Sequence, residues 1–438
     1  MGGEVKRRDF LKTGALGAGL FVLRSGVMGA GAKPSDKLNI AGVGIGGRGW
    51  SDISACASEN IVALCDVNSK NMARAAKRWP KAKTYEDWRK CLEQKDIDAV
   101  VCATTDHTHA FVNVWAMNRG KHVYSEKPLA NSVEEARLVR QTYLKHKGKI
   151  ATQMGTQIHA SANYRRMVEL IRGGAIGTPQ TARVWCTRTP KGGSYFPAQG
   201  PVPKWLNWDL WIGPAPFHPY NPGYISGCLK WNRFWDFGSG QIGDMGSHMM
   251  DMAYWGLGLG LPTTCKAAGS PINTDTCPTW LTAEWDHPKT DWRPAVKVYW
   301  YDGGKKPGVP SKVFNRDGMF KGVIFKGDKG FLLADYGYRV LMPKGDMTHY
   351  KGPASAKDLI PPSPGHHKEW IIGAKTGAPT TCNFDYSGAL VEANMLALVA
   401  YRVGKKLEWS ADSLQAKGCP EADRFIKKQY RKGWVPNG

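Results

Sequence analysis

From Leu38 onward, short apolar runs alternate with amphipathic stretches, the pattern of strands interleaved with helices. Residues 38–41 and 61–65 read as two buried strands, with a helical segment at 50–58 between them. Residues 71–78 predict a helix stopped at Pro80, and 98–104 (DAVVCAT) form a continuous apolar run suited to a central parallel strand covered on both faces. A helix at 110–119 ends before Gly120, then 122–126 is a strand, 133–146 an amphipathic helix and 150–154 a last strand. Alternation at this spacing predicts an α/β, doubly wound parallel sheet. The pattern then changes. A helix at 161–172 ends at Gly173-Gly174, a strand follows at 180–189, and 190–236 is a long stretch rich in Gly, Pro and aromatics. Short strands at 280–285, 295–300, 322–326, 330–334 and 339–342, separated by turns, predict an α+β domain with a mostly antiparallel open sheet. A helix begins near Gly365, and 386–403 is a long final helix. The resulting division is a leader at 1–32, a first domain at 38–155, a second at 156–385, and a C-terminal helix and tail at 386–438 expected to pack back on the first domain.

The first strand ends in Gly42-x-Gly44-x-x-Gly47, and the second closes on Asp66, nineteen residues past Gly47. Strand, glycines, helix, strand and terminal acid in this order predict a dinucleotide site of Rossmann type. Gly42 is assigned the tight turn, Gly44 the close approach to a pyrophosphate, and Gly47 the close packing of helix on strand. The helix start offers free N–H groups to the phosphates. Asp66 is placed to accept hydrogen bonds from an adenosine ribose, which favours NAD; Lys70 and Arg74 nearby keep NADP open.

The leader combines Lys6-Arg7-Arg8-Asp9-Phe10-Leu11-Lys12 with a mildly apolar run at 13–22 and a possible Ala30-Gly31-Ala32 cleavage site. This resembles a twin-arginine export signal. Arg24 interrupts the apolar stretch, so no stable membrane span is expected. Export in a folded state to the periplasm implies a cofactor carried along and held tightly, because no free nicotinamide pool is expected outside. Net charge is +23 over 438 residues. Residues 1–32 hold five basic and two acidic groups, so +20 remains without them. The basic residues are dispersed, which argues for a solvated surface rather than nucleic-acid binding. Eighteen tryptophans, five of them between Trp205 and Trp235, point mildly toward carbohydrate. No CxxC or other metal spacing occurs, and pairing of Cys265 with Cys277 stays open.

Two segments lie beyond the carboxyl ends of the strands, where such sheets bind ligands: Thr104-Thr105-Asp106-His107-Thr108-His109 and Ser125-Glu126-Lys127-Pro128. With Gly120-Lys121-His122-Val123 and, above all, Glu126-Lys127-Pro128, the chain resembles the glucose–fructose oxidoreductase/inositol dehydrogenase/rhizopine-catabolism (Gfo/Idh/MocA) family over nearly all of its length beyond the leader. The resemblance implies that Lys127 lies between nicotinamide and substrate hydroxyl, that its proline is cis, and that His109 sits near the nicotinamide end. Thr104 and Glu126 are carried over as cofactor neighbours. His107 and His109 lack a third ligand at usable spacing, so no metal is assigned.

In the second half, Asp244 and His248 are four apart on a predicted helix and share a face, with Asp251 nearby on it. A carboxylate beside an imidazole fixes its tautomer and raises its basicity, which suits removal of a hydroxyl proton as hydride leaves. This is the family's second signature, and it implies Lys127, Asp244 and His248 as the catalytic set. Tyr164, Trp231 and Trp235 are candidates for the sugar pocket, and one of His366 and His367 is a further candidate. The resemblance also implies a homodimer or tetramer through the open sheet. The reading is an NAD(P)-dependent oxidoreductase acting on a sugar, glycoside or cyclitol. Alternatives are a glycoside hydrolase working through transient oxidation and elimination, and a non-catalytic sugar or cofactor sensor.

Overall fold

The computed structural model describes residues 37–308, 319–352 and 359–436; the leader at 1–32 lies outside them. Six strands form the first sheet: β1 (Asn39–Val43), β2 (Asn60–Cys65), β3 (Lys83–Tyr85), β4 (Ala99–Cys102), β5 (His122–Ser125) and β6 (Thr152–Met154). Their order is β3-β2-β1-β4-β5-β6, all parallel, the Rossmann arrangement. All four residues of β4 are buried, as a central strand covered on both faces requires. Helices α1 (Gly47–Ala55), α2 (Ser69–Arg78), α3 (Asp106–Asn118) and α4 (Val133–His146) supply the cover. Helix α4 starts with a reciprocal cap: Ser132 Oγ accepts from the Glu135 N–H, while the Glu135 carboxylate accepts from the Asn131 N–H.

The second domain opens with α5 (Ala162–Arg172) and β7 (Pro179–Cys186). After the aromatic stretch come α6 (Gly240–Leu257), β8 (Thr264–Gly269), β9 (Leu281–His287), β10 (Val296–Asp302), β11 (Lys321–Gly327), β12 (Gly330–Ala334) and β13 (Arg339–Pro343). Helices α7 (His366–Thr376) and α8 (Phe384–Val403) follow, then β14 (Leu407–Ser410) and β15 (Gln415–Lys417). The nine strands run β13-β12-β11-β7-β10-β9-β8-β14-β15, and only the β7–β10 pair is parallel. Strands β9 and β10 alternate buried and half-buried positions, so one face of this sheet packs on the core and the other stays open.

Two helices lie between the sheets. Nearly every residue of α6 is buried, and α8 is buried along most of its length. Helix α8 packs on α4 of the first domain and on α6 and β8 of the second. Arg137 on α4 grips Glu392 on α8 with two parallel hydrogen bonds, 2.8 and 2.7 Å. The tail beyond α8 divides its contacts. Strands β14 and β15 extend the large sheet, whereas Tyr430 and Trp434 return to pack on Phe111 and Trp88 of the first domain. All ten cysteines are free thiols, Cys265 and Cys277 included.

Candidate active site

The glycine turn is built as a bare backbone surface, with roles distributed differently from the sequence expectation. Gly44 has φ +77, and a Cβ there would stand 2.5 Å from the Ala103 carbonyl oxygen. Close packing of α1 does not fall to Gly47, around which a Cβ would meet nothing within 4 Å. It falls to Gly42, against Ile45 and Ile53, and to Gly49, whose Cβ would lie 1.8 Å from the Gly44 carbonyl oxygen. Asp66 buttresses the turn from within: its carboxylate accepts from the Ile45 N–H at 2.9 Å and the Asn68 N–H at 2.8 Å. Burial raises its pKa, and these donors oppose the rise.

Beside the turn opens a cleft of about 570 Å³. Gly44, Gly47, Asp66, Thr104, His109, Glu126, Lys127, Trp231, Asp244 and His248 all border it. Lys127 follows β5, and its peptide bond to Pro128 is cis. Its ammonium donates to one Asp244 oxygen, while Arg188 Nη1 donates to the other at 2.7 Å. Burial works against the Lys127 ammonium, but Asp244 and Glu126 outweigh it and hold its pKa above the ordinary lysine value. Burial likewise pushes the Asp244 carboxyl up, and Lys127, His248 and Arg188 together bring it below its usual range. This lysine is therefore a fixed cationic donor rather than one poised to titrate.

His248 sits one turn beyond Asp244 on α6, but the expected carboxylate–imidazole hydrogen bond does not form, because both Asp244 oxygens are taken by cations. The His248 Nδ1 is buried without a partner. Burial and the nearby Lys127 lower its pKa to about 3, so the imidazole is neutral at pH 7. Glu126 lies beneath, accepting from Arg48 Nε at 3.2 Å and Gln157 Nε2 at 2.6 Å. Burial and Asp52 push its carboxyl up to about 7. His109 is wedged between the carbonyls of Pro128 (2.7 Å) and Thr104 (3.1 Å), and burial lowers it to about 4. Being neutral, it carries one N–H and donates to only one of these carbonyls. Both nitrogens of His107 also face carbonyls, those of Phe237 and Trp211.

Several sequence candidates stand elsewhere. Tyr164 is fully buried beneath α6, and its hydroxyl donates to the His248 carbonyl at 3.0 Å, so it supports the helix instead of lining the pocket. Trp235 donates to the Asn273 carbonyl, packs under Arg402 and borders a separate cavity. His366 and His367 turn to the Met154 carbonyl and to Asp52. Asp251 pairs with His159 in the core. The aromatic stretch mostly packs on itself: Trp208 stacks on Trp211 at 4.7 Å, and Tyr224, Phe234 and Phe237 form a small core below them. Of its tryptophans only Trp211 and Trp231 reach the cleft. The same stretch straps the loop after β2, where the Ser69 N–H donates to the Trp205 carbonyl and the Asn207 N–H to the Val67 carbonyl. Lys70 lies 4.5 Å over the Trp205 ring. Sequence reasoning missed Arg48, Gln157 and Arg188. Arg48 was visible as the charged residue inside the glycine turn; Arg188, at the end of a strand in another domain, carries no local signal.

Comparison with known proteins agrees with this architecture. Residues 37–154 match the model of an oxidoreductase family's NAD-binding Rossmann fold, and residues 180–288 match the C-terminal alpha/beta domain of the same family. Inositol 2-dehydrogenase of Salmonella typhimurium is 29% identical over 158 residues, 36% of this chain and 44% of that protein. Levoglucosan dehydrogenase of Pseudarthrobacter phenanthrenivorans is 30% identical over 203 residues, 44% of this chain and 42% of that protein. The matched segments thus span less than half the length of these relatives. Among solved structures, the Bordetella pertussis WlbA dehydrogenase in complex with NADH and UDP-GlcNAcA superposes with a TM-score of 0.60 at 16% identity, covering 86% of this chain and 100% of that one. A levoglucosan dehydrogenase complex with NADH and levoglucosan gives 0.57 at 18% identity, covering 85% and 99%. These share the fold.

Proposed function

The chain belongs to the Gfo/Idh/MocA oxidoreductase family, and from that premise we propose that it is an exported NAD(P)-dependent enzyme. It moves a hydride between nicotinamide and a hydroxyl-bearing carbon of a sugar, glycoside or cyclitol. The observation that carries this reading is the convergence of Lys127, Asp244 and His248 on the cleft of the glycine turn. The turn fits a dinucleotide: Gly44, Gly46 and Gly47 border the cleft without side chains to fill it, and a Cβ at Gly47 would stand in open space. Once bound, the nicotinamide supplies the hydride acceptor. The chain's own residues do the rest. Lys127, pinned by Asp244, presents its remaining N–H bonds to the substrate oxygen, and the neutral His248 takes the hydroxyl proton at Nε2. Asp244 fixes the ammonium and borders the substrate. Glu126, held by Arg48 and Gln157, supports the loop from which Lys127 projects.

The strap at Trp205 and Asn207 favours a cofactor that stays bound through each cycle, in keeping with a leader at 1–32 that resembles a twin-arginine signal. A retained cofactor also suits a second reading, a glycoside hydrolase that oxidises, eliminates, adds water and re-reduces. Self-association through the open face of the large sheet completes the proposal.

The test is to denature the purified protein, identify the released dinucleotide, and screen sugars and aryl glycosides with the holoenzyme. Lys127→Ala and His248→Ala are expected to keep the dinucleotide and lose turnover by about a hundredfold or more. Wild-type rates in both variants sink the assignment. Glycoside cleavage without net NADH selects the hydrolase, and silence across the panel selects a sensor.

A further inference from the structure

We propose that the chain holds a second ligand site, separate from the cleft, that takes a small molecule through a phosphate or carboxylate group. This site is independent of the oxidoreductase reading. It is a cavity of about 330 Å³ between α8, the start of α4, the aromatic stretch and the returning tail. That volume is in the range of small-molecule pockets. None of Lys127, Asp244 and His248 borders it. Its wall toward the cleft is the first turn of α3, where His107 borders this cavity while Asp106 and Thr108 border the other.

The cavity is lined by more positive than negative charge. Arg402, Arg424, Lys427 and Lys428 border it, against two carboxylates, Glu135 and Asp236. Both carboxylates already have donors. Glu135 accepts from the Asn131 N–H at 2.7 Å and the Tyr430 hydroxyl at 2.9 Å, and Asp236 pairs with His218 at 2.7 Å. Among the described residues, neither forms an ion pair with any of the four cations. Arg402 carries the argument furthest. Its guanidinium lies 4.0 Å from the centre of the Phe425 ring and 4.7 Å from that of Trp235, and Arg424 lies 4.6 Å from the same Phe425 ring. Stacking engages the face of a guanidinium and leaves its in-plane N–H groups to seek acceptors. Among the described residues, Arg402 and Arg424 have none. Lys428 donates to the Trp235 carbonyl at 2.8 Å, and Lys427 reaches only Glu134, at 3.8 Å. Burial lowers the pKa of Arg402, and the charge of Arg424 adds to the fall. Burial lowers that of Lys428 too, against the pull of Glu135 and Asp236. An oxyanion among these groups offsets both penalties, and its paired oxygens match the N–H edges of a guanidinium. Tyr195, Trp235 and Phe425 offer the body of the ligand an aromatic wall.

The experiment is calorimetry on the holoenzyme, with dinucleotide saturating so that the phosphate-binding turn of the cleft is filled. Inorganic phosphate, D-glucose 6-phosphate and D-glucuronate are titrated at low and high salt, with D-glucose as the neutral control. At least one anion is expected to bind one to one, and tenfold or more weaker when salt is raised. Which of the three binds tightest distinguishes a free phosphate from a phosphate or carboxylate carried on a ring. Arg402→Gln and Arg424→Gln are each expected to weaken that binding tenfold or more, with dinucleotide content unchanged and any binding of D-glucose unaffected. Lys127→Ala is expected to leave it as it was, which separates this site from the cleft. Arg424 is exposed, so its variant keeps the test available should loss of Arg402 unsettle the packing of Phe425. Binding of no anion, affinity that survives both arginine substitutions, or affinity lost with Lys127 instead overturns the inference.

Discussion

Asp244→Asn keeps the shape of the side chain and removes its charge from between Lys127 and Arg188. At about 3 Å and an effective dielectric near 20, each contact represents roughly 5 kcal/mol of Coulomb attraction, most of it offset by desolvation. Breaking a buried pair from one side typically costs about 3–5 kcal/mol, because the remaining charge stays buried. The Lys127 side chain is 17% exposed and Asp244 10%, so their pair approaches that range. The Arg188 contact, at 32% exposed, adds about 1 kcal/mol or less. A retained amide oxygen recovers part of the loss, leaving about 2–3 kcal/mol. If the same amount is lost from the transition state, turnover falls about thirty- to two-hundredfold.

The sharper readout is pH. Lys127 is held above its ordinary value, so its contribution to stability is fully present below the ordinary lysine pKa and is lost as pH rises through the elevated folded value. Asp244 is held below its ordinary value, so its contribution is present above about 3.8 and disappears as pH falls through the lower folded value. In Asp244→Asn the acid-side loss vanishes. The alkaline limb of both stability and kcat moves to lower pH, because burial still opposes the ammonium and its main partner has gone. Guanidinium melts across the pH range and single-turnover rates of the holoenzyme measure both. An unchanged alkaline limb with wild-type turnover would refute the claim that Asp244 holds Lys127 in its charged, oriented state.

Gly44→Ala places a methyl 2.5 Å from the Ala103 carbonyl oxygen at φ +77, and is expected to leave a folded protein that purifies with little or no dinucleotide. Trp205→Ala removes the ring under Lys70 and loosens the strap, so release of bound dinucleotide in a chase experiment should quicken about tenfold while kcat stays close to wild type. Arg137→Met leaves the buried Glu392 carboxylate with Trp409 as its remaining side-chain donor, and should cost about 3–5 kcal/mol in denaturant melts. Glu126 is raised to about 7, so between about 4.5 and 7 the folded state keeps a proton that the unfolded chain has released. Stability therefore falls with rising pH across that window, and Glu126→Gln should flatten the slope.

What the sequence made legible follows from burial. Strand β4 announced itself because a strand covered on both faces must be apolar at every position. Strand β3 (KTY) did not, because an exposed edge strand needs no apolar run. Strands β8, β14 and β15 escaped for related reasons: they are short, partly polar, and defined mainly by their neighbours. The tryptophan cluster was legible as a cluster but not as a strap, since its placement depends on contacts with the loop after β2. Tyr164 illustrates the opposite error. It was a candidate for the pocket, but a hydroxyl on a buried helix face is satisfied as well by a neighbouring backbone carbonyl.

The Asp244–His248 pair shows where helix periodicity stops being informative. Spacing of four residues correctly places both side chains on one face of α6, and both border the cleft. Spacing says nothing about which neighbour wins the carboxylate. A neutral imidazole offers one ordinary N–H, whereas an ammonium and a guanidinium offer charge-assisted bonds roughly twice as strong. Both cations arrive from elsewhere, Lys127 from the end of β5 and Arg188 from just beyond β7, so their claim on Asp244 depends on the meeting of two domains. The structure changes the partner of Asp244, from the imidazole to the two cations. Asp244 charges and aims the lysine, and His248 is left neutral, with a buried Nδ1 and only Nε2 to meet a substrate proton. In the proposed reaction a hydroxyl would meet a fixed cationic donor in Lys127 and a neutral imidazole whose proton affinity burial and that lysine hold down, so activity would depend on the bound substrate and cofactor restoring it.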